Sequence, residues 1–158
     1  MPGVARKVEF GAEDLLPLEP LLLGLAGKPG LWNRIRGRER WLIARPAGGE
    51  PDVAIELNLG EQVINLVVTT SGFEPGKPLL PRLAERGVSA PGGWQLMADV
   101  GWVLGWRAPR SLEPEQVLRF AFSVVKALER APADGRWLAR LESRPPRPGW
   151  QTEEKVRI

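Results

Sequence analysis

Arginines stand at every second position between two tryptophans: Trp32, then Arg34, Arg36, Arg38 and Arg40, then Trp41. Alternate side chains of an extended chain share a face. The spacing therefore predicts four guanidinium groups pointing one way beside two indoles. Guanidinium groups pair with phosphates and indoles stack on bases, which is the chemistry of a single-stranded nucleic-acid surface. The plainer use of the same spacing is a charged, solvent-facing edge strand that resists pairing with other chains.

The remaining chemical inventory is narrow. The 158 residues include no His, no Cys and no Tyr. Those side chains supply most of the general bases, nucleophiles and transition-metal ligands that act near neutral pH. A protein that is not an enzyme, with no cofactor and no structural metal, is the expectation. Oxygen ligands alone favour magnesium, calcium or manganese, and such sites gather several carboxylates. Here only Asp52, Glu56 and Glu61 cluster loosely.

Pro51-Asp52 followed by Glu56-Leu57-Asn58 is similar to metal-dependent nucleases of the PD-(D/E)xK class, which need two carboxylates on the metal and a Lys near the attacking water. Asn58 stands where that Lys is required, and the acids are closely spaced. Glu56 then reads as a polar residue on the outer face of a sheet. The segment from Gly72 to Pro78 has the look of a phosphate loop. It is one residue short, however, and Pro78 removes both the magnesium-binding hydroxyl and a backbone donor.

Arginine supplies 17 of the 22 basic residues, so the sequence pI is 9.8 although the net charge is only +3. A mild basic excess admits acidic partners without demanding them. Arg- and Pro-rich usage suggests a GC-rich, thermophilic source, and the missing cysteines fit a reducing cytoplasm. The leucine-rich stretch 15–26 is broken by Pro17, Glu19, Pro20 and Gly24. It falls short of the ~20 apolar residues that span a bilayer, so a cytoplasmic protein without membrane association is expected.

Apolar periodicity orders the rest. Residues 13–26 read as a helix with Leu15, Leu18, Leu22 and Leu25 on one stripe and Gly27 as its cap, regular only from about Pro17. Residues 34–45 read as a strand. Residues 53–70 read as a hairpin about a Gly60-Glu61 turn of type II′, with Leu59 facing Gln62, Leu57 facing Ile64, Ile55 facing Leu66 and Val53 facing Val68. A short helix at 79–86, strands at 94–98 and 102–107, and a long helix at 114–130 follow. Trp94, Trp102 and Trp106 share the alternation of their strands and are expected to pack in the core or on the sheet face.

The expected fold is one α+β domain over residues 1–131: an antiparallel sheet of about five strands with helices packed on it, in the order α-β-β-β-α-β-β-α. Residues 132–158 form an Arg/Pro-rich tail, irregular or packed over the body, with room for a short segment at 136–141. Its Arg144-Pro-Pro-Arg-Pro run could offer a polyproline ligand. Over residues 13–130 this order resembles the type III secretion chaperone-like fold, which includes the YbjN-like proteins. The resemblance rests on the alternation in 53–68, the 79–86 segment and the closing Leu112-Glu-Pro-Glu-Gln-Val-Leu118 helix. It implies a non-catalytic protein-interaction module that is often a homodimer. The alternatives are a single-stranded nucleic-acid-binding protein using the Arg34–Arg40 run and, more remotely, a nuclease-like enzyme.

Overall fold

The computed structural model describes residues 6–27 and 37–145. It is an α+β fold. Among the described residues seven antiparallel strands form one sheet, β1 (Val8–Gly11), β2 (Glu39–Pro46), β3 (Val53–Leu59), β4 (Val63–Thr70), β5 (Gln95–Asp99), β6 (Val103–Pro109) and β7 (Arg136–Arg144), in the spatial order β1-β7-β2-β3-β4-β6-β5. Among the described residues three α-helices, α1 (Glu19–Ala26), α2 (Leu80–Glu85) and α3 (Pro114–Ala127), accompany them, and a 3-10 turn at Leu16–Leu18 leads into α1. No described helix is long and apolar enough to cross a membrane.

The expected count of about five strands is too low by two. The missed strands are β1, in the short polar N-terminal stretch, and β7, in the segment read as a tail. β7 does alternate: Trp137 and Ala139 turn inward and are buried, with Leu141 packed against the same core. It is flanked by Pro132 and an Arg-Pro run, which hid the pattern. Its place in the sheet comes from partners far away in sequence, since Ala139 lies opposite both Val8 and Ala44. The domain therefore does not stop at residue 131.

The 53–70 hairpin forms, but its register is shifted by two residues. Leu59 faces Ile64, Leu57 faces Leu66, Ile55 faces Val68 and Val53 faces Thr70. The loop residues are Glu61 and Gln62, closed by the Gly60 N–H on the Val63 carbonyl at 2.9 Å. None of the three residues Gly60, Glu61 and Gln62 takes the left-handed backbone that a type II′ turn needs. The turn is held from outside instead: the Arg110 guanidinium donates to the Gly60 carbonyl at 3.2 Å and the Arg110 N–H to the Gln62 carbonyl at 3.1 Å. A shift of two preserves the faces, so the large aliphatics still point into the core.

The core lies between one face of this sheet and the helices. The stripe Leu15, Leu18, Leu22 and Leu25 is buried, as its spacing requires. Gly27 follows α1, but in an extended rather than left-handed conformation. On α3, Pro114 begins the helix and a reciprocal capping box joins Glu113 and Gln116. The helix closes earlier than residue 130. Glu129 adopts φ +60°, and the Arg130 N–H returns to the Val125 carbonyl at 3.0 Å. Two phenylalanines tie α3 to both halves of the sheet. Phe122 meets Phe10 and Trp137 edge-on at 5.8 and 5.2 Å, and Phe120 meets Trp94 and Trp106 at 4.9 and 5.1 Å. Trp106 is a core residue, but Trp102 sits in the β5–β6 turn and is 53 % exposed. Its backbone is used there rather than its ring, the carbonyl accepting the Thr70 N–H at 3.0 Å.

Candidate functional site

Trp32, Arg34 and Arg36 lie outside the described residues. The structure places Arg38, Arg40 and Trp41 at the start of β2, and it separates them. Arg40 has the parity of buried Leu42, on the helix-covered face, and its guanidinium donates to the Gly24 carbonyl near the end of α1. A cation there meets the negative end of the helix. Arg38 donates through Nε to Ser143 Oγ at 3.1 Å and through Nη2 to the Ser143 carbonyl, so it braces β2 to β7. Trp41 lies on the opposite face and is buried with Ile43, Val67 and Val103. These two arginines serve the fold, and the indole is not on their side of the sheet.

The second face of the sheet carries a polar network that sequence reading missed. Asn58 and Asn65 are directly opposite, and the Asn65 amide donates to Asn58 Oδ1 at 2.8 Å. The Asn58 amide in turn donates to the Arg40 carbonyl at 2.9 Å, and Arg107 Nε donates to Asn65 Oδ1 at 3.2 Å. Arg107 is only 5 % exposed. A buried guanidinium is tolerable only when its donors are satisfied. Beside this row, Glu56 is 4 % exposed and receives Arg144 at 3.1 Å, while Arg144 also reaches Glu142 at 2.8 Å. Glu142 further pairs with Arg140. Glu56 is thus a buried ion-pair member and not a simple outward polar residue. Its opposite residue is Val67 rather than Asn65.

Burial opposes ionisation of Glu142, but the hydrogen bond and charge of Arg144, with Arg140, outweigh it and lower its pKa. Burial pushes the Glu39 carboxyl the other way, above its ordinary value, although Trp41 Nε1–H and the Arg107 charge counteract this. Asp52 does not join Glu56. It sits in the β2–β3 turn, with its carbonyl accepting the Thr70 hydroxyl at 2.9 Å. Among the described residues, no group of three Asp or Glu side chains comes together to hold a metal ion.

A different surface stands out at the far edge of the sheet. β5 pairs only with β6, so its outer backbone edge has no strand partner among the described residues. On the helix side, Leu96 lies opposite Trp106. Between β5 and α2 runs an apolar groove of ≈ 280 Å³, lined by Leu80, Ala84, Val88, Trp94, Leu96 and Trp106 among others. Leu96 is 44 % exposed in it.

Asp99 fixes the width of this groove. Its carboxylate accepts the Leu79 N–H at 2.7 Å and the Leu80 N–H at 3.0 Å, capping α2 from a neighbouring strand. The preceding loop is stitched to the β5–β6 turn by the Gly76 N–H on the Val100 carbonyl at 2.8 Å. Asp99 and Leu96 carried no signal in the sequence, because the cap lies 20 residues from the helix it serves. Comparison with known proteins gives no match to a family model, to a curated protein or to a solved structure.

Proposed function

We propose that this protein is a non-enzymatic protein-interaction module, of the kind implied by its resemblance to the type III secretion chaperone-like and YbjN-like proteins, and that it works as a homodimer through β5 and the groove beneath α2. The observation that carries this reading is the unpaired β5 edge lying beside an apolar groove with a half-exposed leucine. An extended edge offers main-chain hydrogen bonds, and an adjoining pocket selects side chains.

The two edges of the sheet differ in a way that favours a second copy at β5. β1 is four residues long and carries Glu9, which is held by Arg136 at 2.8 Å. The first four residues of β5 are Gln95, Leu96, Met97 and Ala98, with no charge and no proline. Charged residues and prolines are the usual guards against edge pairing. β5 has a bulge between Leu96 and Ala98, and its charged residue, Asp99, is engaged by the N-terminus of α2. Antiparallel pairing of β5 with its own copy is isologous, so it closes after two chains. It also sets the two grooves side by side.

Sedimentation velocity over a range of concentrations tests this. The expected result is a dimer that Leu96→Glu converts to a folded monomer. A monomer at every concentration, or a dimer that Leu96→Glu leaves intact, overturns the assignment of this edge.

A further inference from the structure

We infer that the cleft at the β2–β3 turn, on the second face of the sheet and away from β5, binds a small organic anion with an apolar body. The cleft holds ≈ 220 Å³. That is below the roughly 300–1,000 Å³ of drug-sized sites, so its ligand is small. Ile43, Val53 and Leu138 supply apolar lining, and Lys7, Arg45, Arg140 and Asp52 supply the charges.

Strand register sets the geometry of the cations. Arg45 lies opposite Leu138, and Arg140 lies opposite Ile43, on adjacent antiparallel strands. All four side chains therefore share one face, and the two arginines are diagonal neighbours with Cβ atoms about 7–8 Å apart. One carboxylate or phosphate group between them can accept from both guanidinium groups. Like charges this close repel each other, and an anion reverses that. Arg140 already meets Glu142. Among the described residues, neither the Arg45 guanidinium nor the Lys7 ammonium has a side-chain hydrogen-bond or ion-pair partner. Asp52, on the turn side, repels a second anionic group, so the ligand carries its charge at one end. The apolar lining receives the rest.

The test is isothermal titration at low ionic strength, with phenyl phosphate as the probe and inorganic phosphate and benzyl alcohol as the charge-only and ring-only comparisons. Phenyl phosphate is expected to bind saturably, with a Kd of about 1 mM or tighter, and each comparison compound at least about tenfold more weakly. Arg45→Gln is expected to weaken phenyl phosphate roughly tenfold, since a charge-assisted contact is lost. Arg45 is exposed and its side chain makes no ion pair among the described residues, so the variant should fold, and circular dichroism checks it. Arg119→Gln, on the exposed side of α3, should bind as wild type. Absence of saturable binding by phenyl phosphate overturns the proposal. So does an Arg45→Gln protein that binds as wild type, or a comparison compound that binds equally well.

Discussion

Gly101 and Gly76 offer a controlled experiment within one loop cluster. Both take left-handed backbone, at φ +86° and +81°. Alanine in that region costs about 1–2 kcal/mol at either position. Their surroundings differ. A Cβ on Gly76 meets nothing within 4 Å, whereas one on Gly101 would stand 2.3 Å from the Glu74 carbonyl oxygen and 3.1 Å from that of Lys77. Ordinary contact starts near 3.5 Å, so the Glu74 carbonyl must retreat by roughly an ångström. Overpacking of this kind adds about 1–3 kcal/mol. The retreat pulls on the loop whose Gly76 N–H bonds Val100, a hydrogen bond worth about 0.5–1.5 kcal/mol.

Gly101→Ala should therefore be less stable than Gly76→Ala by about 2–4 kcal/mol. With a urea slope of about 1–3 kcal/mol per molar, its unfolding midpoint should fall at least about 0.7 M below that of Gly76→Ala. Equal midpoints for the two variants would refute the packing of the 71–78 loop against the β5–β6 turn, and with it the placement of α2 beside β5.

Three further outcomes are expected. Asp99→Ala, which leaves the N-terminus of α2 uncapped, should cost about 0.5–2 kcal/mol in urea melts and loosen amide protection at Leu79 and Leu80 in hydrogen exchange. Leu57→Ala should cost about 2–5 kcal/mol, and Glu56→Ala about 1–3 kcal/mol because Arg144 loses one of its two carboxylate partners; a negligible cost at Glu56, measured in the same melts, would return it to the role of a plain surface residue. Glu142 has a lowered folded pKa, so its stabilisation is fully present above the ordinary glutamate value of about 4.3 and disappears as pH falls through the lower folded value. Glu142→Gln should flatten the stability–pH curve on that acid side, as read from urea midpoints at a series of pH values.

What could be read from the residues was what local periodicity controls. The four-leucine stripe that runs into and along α1, the α2 segment, the start of α3 at Pro114 and the alternation of β3, β4 and β6 all followed from spacing. The register of the 53–70 hairpin did not, because Arg110, about 50 residues away, holds the turn in place of a glycine geometry. β1 and β7 escaped for a related reason: four residues are too few to show a period, and β7 is framed by prolines and arginines. The candidate groove was illegible because it exists only where α2, Trp94 and β5 converge, and its width depends on Asp99 reaching across from the strand. The Arg38–Arg40 pair was legible as charge but not as use, since carbonyl acceptors on α1 and β7 have no sequence signature.

The position of β7 has a consequence for how the chain is made. The strand occupies an interior slot between β1 and β2, and Val8 meets Ala139 across it. A growing chain emerges N-terminus first, so β1 waits until residues 136–144 have been made before this partner exists for it. Until then the β2 edge is unclosed, and the aromatic contacts of Phe10 and Trp137 with Phe122 are unmade. Long-separation pairings of this sort raise contact order and slow folding. The half containing β3, β4, β6 and α3 can assemble earlier, and completion is deferred to the strand that arrives last.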